Sequence, residues 1–295
     1  MSTSHTQQEA IDMAIKRLKM GEEMSHIHYG KPLLITYSGG KDSDACVRLA
    51  QIAEVPFEVC HSLTTVDAPP TIYHVREKFA ELEEQGIKCE IIKPRYKSNP
   101  VTMWSLIPQK SMPPTRLIRY CCSVLKETAG ANRMIVTGVR WAESVARANR
   151  SEAFQSMASD PTKRILANDN DAERQLFEAC AAKQKCTTNP IIDWSDRDVW
   201  DFLHDERIKV NPLYSCGFNR VGCIGCPMAR KEGRQTEFAM FPTYQKAYIQ
   251  AFGKMLKVRR EEHKQTQWKT GEDVFHWWME DGVMPGQMEI EDMEK

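Results

Sequence analysis

Ser38-Gly39-Gly40-Lys41-Asp42-Ser43 is the stretch of this 295-residue chain whose residue types and spacing are best suited to chemistry. It follows an apolar run, Pro32-Leu33-Leu34-Ile35-Thr36-Tyr37, and opens a helix-like pattern. Two adjacent glycines let the main chain turn with its N–H groups facing inward, the N-terminus of the next helix adds partial positive charge, and Lys41 adds a full one. Such a cradle binds an anion, and the expected ligand is a nucleotide phosphate. Gly-Gly after a strand also serves as a plain turn, with Lys-Asp-Ser capping the helix. The strand-to-helix context favours the cradle.

Cysteines supply the second candidate chemistry. Cys121-Cys122 are adjacent, and Cys223-Ile-Gly-Cys226-Pro227 follows Cys216 in a glycine-flanked segment. Two residues between thiolates let both point at one ion or cluster, Gly222 and Gly225 allow the tight path, and a proline after the last cysteine suits an iron–sulfur loop. Four thiolates fit tetrahedral zinc or a [4Fe-4S] cluster, and spacing does not separate the two. Cys46, Cys60, Cys89, Cys180 and Cys186 stand singly in apolar or helical contexts and read as buried structural thiols.

The elements that must position these groups follow from periodicity. Gln7 to Met24 places Ala10, Ile11, Met13, Ala14 and Leu18 on one helical face. Strands are expected at Leu33 to Tyr37, Phe57 to His61, Lys88 to Lys93 and Arg133 to Thr137, and helices at Ser43 to Ala53 and at Thr71 to Gln85, the latter stopped by Gly86. Strand alternating with helix predicts an α/β fold, an open and mainly parallel sheet with helices on both faces. Right-handed crossovers put the Ser38–Ser43 loop, the turn with Thr65 and Asp67, and Gly138-Val139-Arg140 along one sheet edge, where such folds bind ligands. Thr65, Asp67 and Gly138 therefore join the nucleotide-binding candidates. Arg140 and Arg147 can each fork two N–H groups onto phosphate or sulfate, with Glu143 orienting one of them.

Pro94 to Arg119 is a long Pro-rich, basic excursion with the makings of a lid, and 151–186 reads as a polar insertion with one helix-like part. The expected division is an N-terminal helix over 1–30, a nucleotide-binding domain over 31–230 and a helical extension over 231–295. Aromatics from Tyr244 to Trp278 recur at helical spacing and read as core rather than a base-stacking surface.

Forty basic and forty acidic residues cancel, so no global field draws the chain to nucleic acid or an anionic membrane. Hydrophobic residues at 41% suffice for a core. No apolar stretch reaches the roughly 20 residues of a membrane span, and the first ten residues lack a signal-peptide layout, so a cytoplasmic location is expected. A homo-oligomer is compatible with this composition.

Ser38–Ser43 resembles the PP-loop, Ser-Gly-Gly-x-Asp-Ser, of the ATP pyrophosphatase superfamily. The order of PP-loop-like site, Cys-Cys, Gly138-Val-Arg140-x-x-Glu143-Ser144 and Cys-x-x-Cys resembles the phosphoadenosine phosphosulfate (PAPS) reductase family over residues 30 to 230. The resemblance implies an adenine nucleotide α-hydrolase-like fold and, from the iron–sulfur branch, a [4Fe-4S] cluster on Cys121, Cys122, Cys223 and Cys226, with Cys216 as a substitute and zinc as the alternative. It implies roles for Ser38, Gly39, Gly40, Lys41, Asp42 and Ser43 around ATP or a sulfonucleotide, with Mg²⁺ held partly by Asp42, and for Lys41, Asp42, Arg140 and Arg147 in catalysis.

Two features depart from the reductase pattern. The sulfonucleotide reductases attack with a cysteine in a late Glu-Cys-Gly-like motif, whereas no cysteine follows Cys226 in this sequence. Their loop is degenerate, whereas this one is intact, as in the ATP-using branch of sulfurylases, tRNA thiolases and DNA phosphorothioation proteins. The expected function is cleavage of ATP to AMP and pyrophosphate to activate an acceptor for sulfur transfer. Partners are then an adenine nucleotide, an acceptor that includes nucleic acid among its classes, and a sulfur-donor protein. Sulfonucleotide reduction and a non-catalytic nucleotide-sensing subunit are the alternatives.

Overall fold

The computed structural model describes residues 6–127, 129–143, 148, 153–157, 166–167 and 185–280. The chain forms two compact units, each assembled from several stretches. The first comprises Met1–Ser62, Pro69–Ile92 and Thr128–Val221; the second comprises Leu63–Ala68, Lys93–Glu127 and Gly222–Lys295.

The first unit is the expected α/β sheet. Strands β1 (Leu33–Thr36), β2 (Phe57–Ser62) and β3 (Cys89–Ile92) join β6 (Met134–Val136) and β9 (Lys185–Thr188) in five parallel strands, extended by antiparallel β7 (Phe154–Met157) and β8 (Leu166–Ala167). The order is β3-β2-β1-β6-β9-β7-β8. Leu33, Leu34 and Ile35 are all buried because a central parallel strand is covered on both faces. The chain steps outward from β1 to β3 and then returns to the other side of β1 as β6. That reversal leaves a crevice at the carboxyl ends of β1 and β6, the usual ligand position in an open α/β sheet.

The described part of the stretch read as an insertion is sheet. β7 and the start of β9 fall inside 151–186, and β9 pairs with β6 through Met134↔Cys186 and Val136↔Thr188. Lys-Cys-Thr-Thr is too short and too polar to announce a strand, and its pairing, not its own pattern, makes it one. The helix-like part at Ala172 to Ala182, Cys180 and the last residues from 281 lie outside the described residues.

Helix α1 (Gln7–Tyr29) opens with a capping box between Thr6 and Glu9, closes at Gly30 in the left-handed region, and packs on β1, β6 and β9. Arg17, buried on this helix, donates to both Asp193 carboxylate oxygens at 2.8 and 3.1 Å and to Pro190 O at 3.0 Å. Helices α2 (Lys41–Ile52) and α3 (Pro69–Glu84) follow β1 and β2. Cys46, Cys60 and Cys186 are buried and Cys89 is half-buried, as packing thiols.

The second unit contains a hairpin of β4 (Arg95–Tyr96) and β5 (Asn99–Pro100), whose turn residues Lys97 and Ser98 both have positive φ, as a type I′ turn needs. Helices α4 (Met103–Lys110) and α5 (Tyr120–Leu125) come next. Helix α6 (Asp196–Asp205), begun by a Ser195 cap, belongs to the first unit. Helices α7 (Lys231–Met240), α8 (Pro242–Glu261) and α9 (Gly271–Met279) complete the second. Tyr248, Phe252, Phe275 and Trp278 are buried there, so the aromatic stripe is core. No described helix is long and apolar enough to cross a membrane.

One glycine ties the sheet to its crevice. A Cβ at Gly138 would lie 2.9 Å from the carbonyl carbon and Cβ of Asp42 and 3.0 Å from its carbonyl oxygen. Gly138→Ala is expected to cost about 1–3 kcal/mol of unfolding free energy, the usual penalty of overpacking against atoms that cannot move aside. Gly253→Ala in α8, with nothing within 4 Å of the new methyl, is expected to gain about 0.5–1 kcal/mol. Urea unfolding of both variants checks the pair.

Candidate functional site

In the first unit the Ser38–Ser43 segment forms the N-terminal end of α2. Gly40 is its N-cap in extended conformation, and Gly39 has φ +74°, which favours glycine. A Cβ at Gly39 would also stand 2.9 Å from Thr71 Cγ2 on α3, so this glycine serves packing as well as the turn. Asn211, buried, donates to Gly39 O at 2.9 Å and to Thr71 Oγ1 at 3.1 Å, fixing the turn from the opposite side. Ser43 Oγ donates to Gly40 O at 2.7 Å and accepts from Gly40 N–H at 3.2 Å and from Ser38 Oγ at 3.3 Å. The Lys41 N–H donates to the Tyr214 hydroxyl at 2.9 Å.

Four charged side chains alternate in sign beside this turn. Arg140 is buried; its Nε donates to Asp42 Oδ1 at 2.7 Å, Nη2 to Asp196 Oδ1 at 2.7 Å, and Nη1 to Trp194 O at 3.2 Å. Lys41 Nζ lies 3.2 Å from Asp42 and 3.0 Å from Asp196. Burial alone would lower the pKa of Arg140, but Asp42 and Asp196 more than offset it and raise the value. The hydrogen bond from Lys41, with that from Arg140, holds the Asp196 carboxyl below its ordinary value against some desolvation. The Glu143 carboxylate accepts from the Arg140 N–H at 3.2 Å and so caps the main chain there.

Lys41 and Asp196 also line a cavity of about 330 Å³ with Trp200, Tyr214, Phe218 and Asn219. A cavity of about 400 Å³ between α2 and α3 is rimmed by ion pairs closed on themselves, Arg48–Glu206 and Lys78–Glu81. The cavity beside Lys41 has that ammonium next to a turn of main-chain donors, so it is the one that suits an anionic ligand.

Beneath the turn, Tyr37 Oη donates to Asp44 Oδ1 at 2.5 Å and lies 3.0 Å from His74 Nε2. Burial and the Asp44 charge push the Tyr37 phenol upward, so it stays a donor to that carboxylate. Asp196, Tyr214 and Asn211 are the members that sequence reasoning did not assign to the site.

The second unit gathers the paired cysteines. Cys121 and Cys122 lie in the first turn of α5 and share a hydrogen bond that, with burial, raises the Cys121 thiol; the same bond lowers Cys122 to about 6 against its own burial. Cys223 and Cys226 both lie within electrostatic reach of Cys121. Cys223 Sγ donates to Thr64 Oγ1 at 3.5 Å, and burial raises its thiol. Lys126, one helical turn after Cys122, is exposed overall, while its ammonium hydrogen-bonds Cys223 and its pKa is raised, chiefly by the Cys223 charge. This lysine was also absent from the sequence candidates, although its spacing from Cys122 places both on one face of α5.

The loop of the second pair rests on an aromatic floor. Gly225 has φ +69°, and a Cβ there would lie 2.7 Å from Phe238, 2.9 Å from Trp278 and 3.1 Å from Tyr248. Gly225 N–H donates to Glu237 at 2.7 Å, and Tyr248 Oη to Ile224 O at 3.0 Å. Ile224 N–H donates to Val66 O at 2.8 Å, and Asp67 bridges to Cys223 as an isolated β pair. Thr65 and Asp67 therefore belong to the cysteine unit: Thr65 Oγ1 accepts the Met103 N–H at 2.8 Å, and Asp67 Oδ2 accepts the Thr64 N–H at 2.7 Å.

By the chemistry of the donor set, these four thiols fit a soft metal or an iron–sulfur cluster: two pairs, mutually interacting, with a cation to offset thiolate charge. Among the described residues no three of His, Cys, Asp and Glu stand close enough to hold a metal ion, so the thiols form a neighbourhood rather than a closed coordination shell. Cys216 is exposed at the end of a 3₁₀ turn, Pro212–Cys216, in the first unit. Ser144 and Arg147 lie outside the described residues.

Residues 32–229 match the family model described as the phosphoadenosine phosphosulfate reductase domain. An uncharacterized protein of Methanocaldococcus jannaschii is 26% identical over 230 residues, 76% of this chain and 46% of the relative. The adenosine 5'-phosphosulfate reductase of Allochromatium vinosum is 30% identical over 114 residues, 37% of this chain and 35% of the relative. The chain thus spans less than half the length of these curated relatives. Among solved structures, the PAPS reductase of Candida auris in a phosphate complex aligns with a TM-score of 0.44 and 15% identity over 76% of this chain and 98% of that one. The U34-tRNA thiolase of Methanococcus maripaludis with its [4Fe-4S] cluster aligns with a TM-score of 0.43 and 13% identity over 85% of this chain and 82% of that one.

The charge network sets a stability expectation. Arg140→Met leaves the partly exposed Asp42 and Asp196 with Lys41 as their cation and is expected to cost about 1–3 kcal/mol, the range for losing hydrogen bonds to charged groups. Because the folded value of Asp196 is depressed, its contribution is full above the ordinary carboxyl range and is lost as pH falls through the lowered value. Asp196→Asn should therefore flatten the acid limb of the stability profile and leave its slope near neutrality unchanged, as measured by urea unfolding from neutral to acid pH.

Proposed function

The chain belongs to the phosphoadenosine phosphosulfate reductase family, and from that premise we propose that it binds ATP and cleaves it to AMP and pyrophosphate, activating an acceptor for sulfur transfer. The observation that carries this reading is the intact Ser38–Ser43 turn at the N-terminus of α2 with Lys41 and Arg140 beside it. A polyphosphate on the main-chain donors of Gly40 and Lys41 brings several negative charges to a network that is already neutral. Lys41 and Arg140 turn from carboxylate to phosphate, and Asp42 and Asp196 are the residues that would hold Mg²⁺, a hard cation that takes oxygen ligands.

An acceptor oxygen then attacks the α-phosphorus. The bond to the bridging oxygen breaks, pyrophosphate departs with the electron pair, and Lys41 and Arg140 stabilise the charge that develops on it. The acceptor now carries AMP on oxygen. A sulfur nucleophile adds at the acceptor carbon, and AMP leaves with that oxygen.

For the second half, Cys121, Cys122, Cys223 and Cys226 are the residues that would hold a [4Fe-4S] cluster, which when bound supplies an iron site for sulfur. Lys126 would offset the negative charge of the thiolate ligands. Nucleic acid is one acceptor class in this reading, and a separate protein is the source of sulfur.

Sulfonucleotide reduction is the second reading, favoured by the relatives named adenosine 5'-phosphosulfate reductase. Nucleotide turnover separates the two. ATP labelled at the α-phosphorus should give AMP with an equal amount of pyrophosphate, and Lys41→Ala should lower kcat/KM by about 10²–10³-fold, the scale of losing one preorganised charge partner. Sulfite from adenosine 5'-phosphosulfate, with ATP untouched, would instead establish the reductase. Anaerobic preparations should contain about four irons and four sulfides per chain and lose them in Cys223→Ser; colourless protein with stoichiometric zinc would assign the thiols a structural role.

A further inference from the structure

Resting on the nucleotide reading of the Ser38–Ser43 turn, we propose that Tyr214 is a positioning residue that exchanges with phosphate: its hydroxyl holds the Lys41 N–H and yields it to a polyphosphate oxygen, releasing the turn that carries Cys216. The Lys41 N–H is one of the first donors of α2, which have no intrahelical acceptor and are the groups an anion at a helix N-terminus uses. Tyr214 Oη accepts it at 2.9 Å. The same oxygen lies 3.3 Å from where a Cβ on Gly40 would stand, so the tyrosine occupies the space that this glycine leaves open. A phosphate oxygen coming onto the cradle meets the tyrosine oxygen at that donor. A charged acceptor makes the stronger bond, so the hydroxyl is the one displaced.

The geometry also gives the ring a place to go and limits what moves with it. Tyr214 packs edge-on against Trp200 with ring centroids 5.0 Å apart, and both line the cavity of about 330 Å³ beside Lys41. Before Tyr214, Asn211 is pinned to Gly39 O and Thr71, and Leu213 is buried. After it, Ser215, Cys216 and Asn219 are exposed, and Gly217 ends the 3₁₀ turn at φ +85°. The Lys41–Tyr214 bond is thus the hydrogen bond that ties the second half of this turn to the phosphate cradle. Loss of that bond loosens 214–219, which keeps its own local bonds, Tyr214 N–H to Asn211 O at 3.1 Å and Phe218 N–H to Leu213 O at 3.2 Å, while Asn211 stays fixed, so polyphosphate binding changes the setting of the Cys216 thiol without unfolding the site.

Calorimetric titration of ATP and of pyrophosphate into the full chain and into Tyr214→Phe tests the exchange. The phenylalanine variant should bind both ligands about 2- to 10-fold more tightly, because its Lys41 N–H has no partner to give up, the worth of one ordinary hydrogen bond. Amide hydrogen exchange over 212–219 should quicken in the wild-type chain when ATP is added, and should already be fast in Tyr214→Phe without it. Equal binding by the variant overturns the exchange, and weaker binding does so by showing that the hydroxyl contacts phosphate directly. Exchange over 212–219 that ignores ATP in a wild-type chain that binds it has the same result and needs no variant. Failure of the wild type to bind ATP or pyrophosphate overturns the nucleotide reading and this inference together.

Discussion

The main chain leaving β6 passes so close to the first turn of α2 that Gly138 has no room for a side chain. That contact sets the crevice. It fixes Arg140, two residues on, against Asp42, and from there the guanidinium reaches Asp196 at the start of α6. Three separate elements are held by one cation. Because each carboxylate is shared with Lys41, the turn is rigid and neutral at once, an arrangement that favours binding a polyanion together with its metal over binding an isolated anion.

In the second unit the equivalent restraint is apolar. Gly225 seats the Cys223–Cys226 loop on Phe238, Tyr248 and Trp278, and polar groups of Glu237, Tyr248 and Val66 take up the loop's main-chain hydrogen bonds. A bulky side chain at Gly225 would lift the loop off its floor. The thiols therefore owe their approach to packing among helices α7, α8 and α9, elements whose sequence suggests nothing but core.

Much of this was legible in the residues. Strands β1, β2, β3 and β6 and helix α3 with its Gly86 stop were readable because short apolar runs alternate with a helical period. The Ser38–Ser43 turn was readable because two glycines between an apolar strand and a helical period mark a turn in either reading. β9 was not readable, since Lys-Cys-Thr-Thr becomes a strand only by pairing with β6. Asp196 and Tyr214 were not readable as site residues, because their link to Lys41 is made across more than 150 positions and leaves no local pattern. Thr65 and Asp67 followed β2 as a ligand loop should, yet their hydrogen bonds go to α4 and to Thr64 within the unit of the cysteines.

The second unit draws on three stretches, and its early and late members are far apart in order of synthesis. Cys121 and Cys122 leave the ribosome about a hundred residues before Cys223, a delay of about 5–20 s at ordinary elongation rates. The aromatic residues that floor the Cys223 loop come later still. During that interval the first pair has no folded shelter, and both thiols are open to oxidants and to stray soft metals. A folded shelter for all four thiols therefore forms only after the stretch from Cys223 to Trp278 has been made, and until then the chain is sensitive to the redox poise of the compartment that makes it.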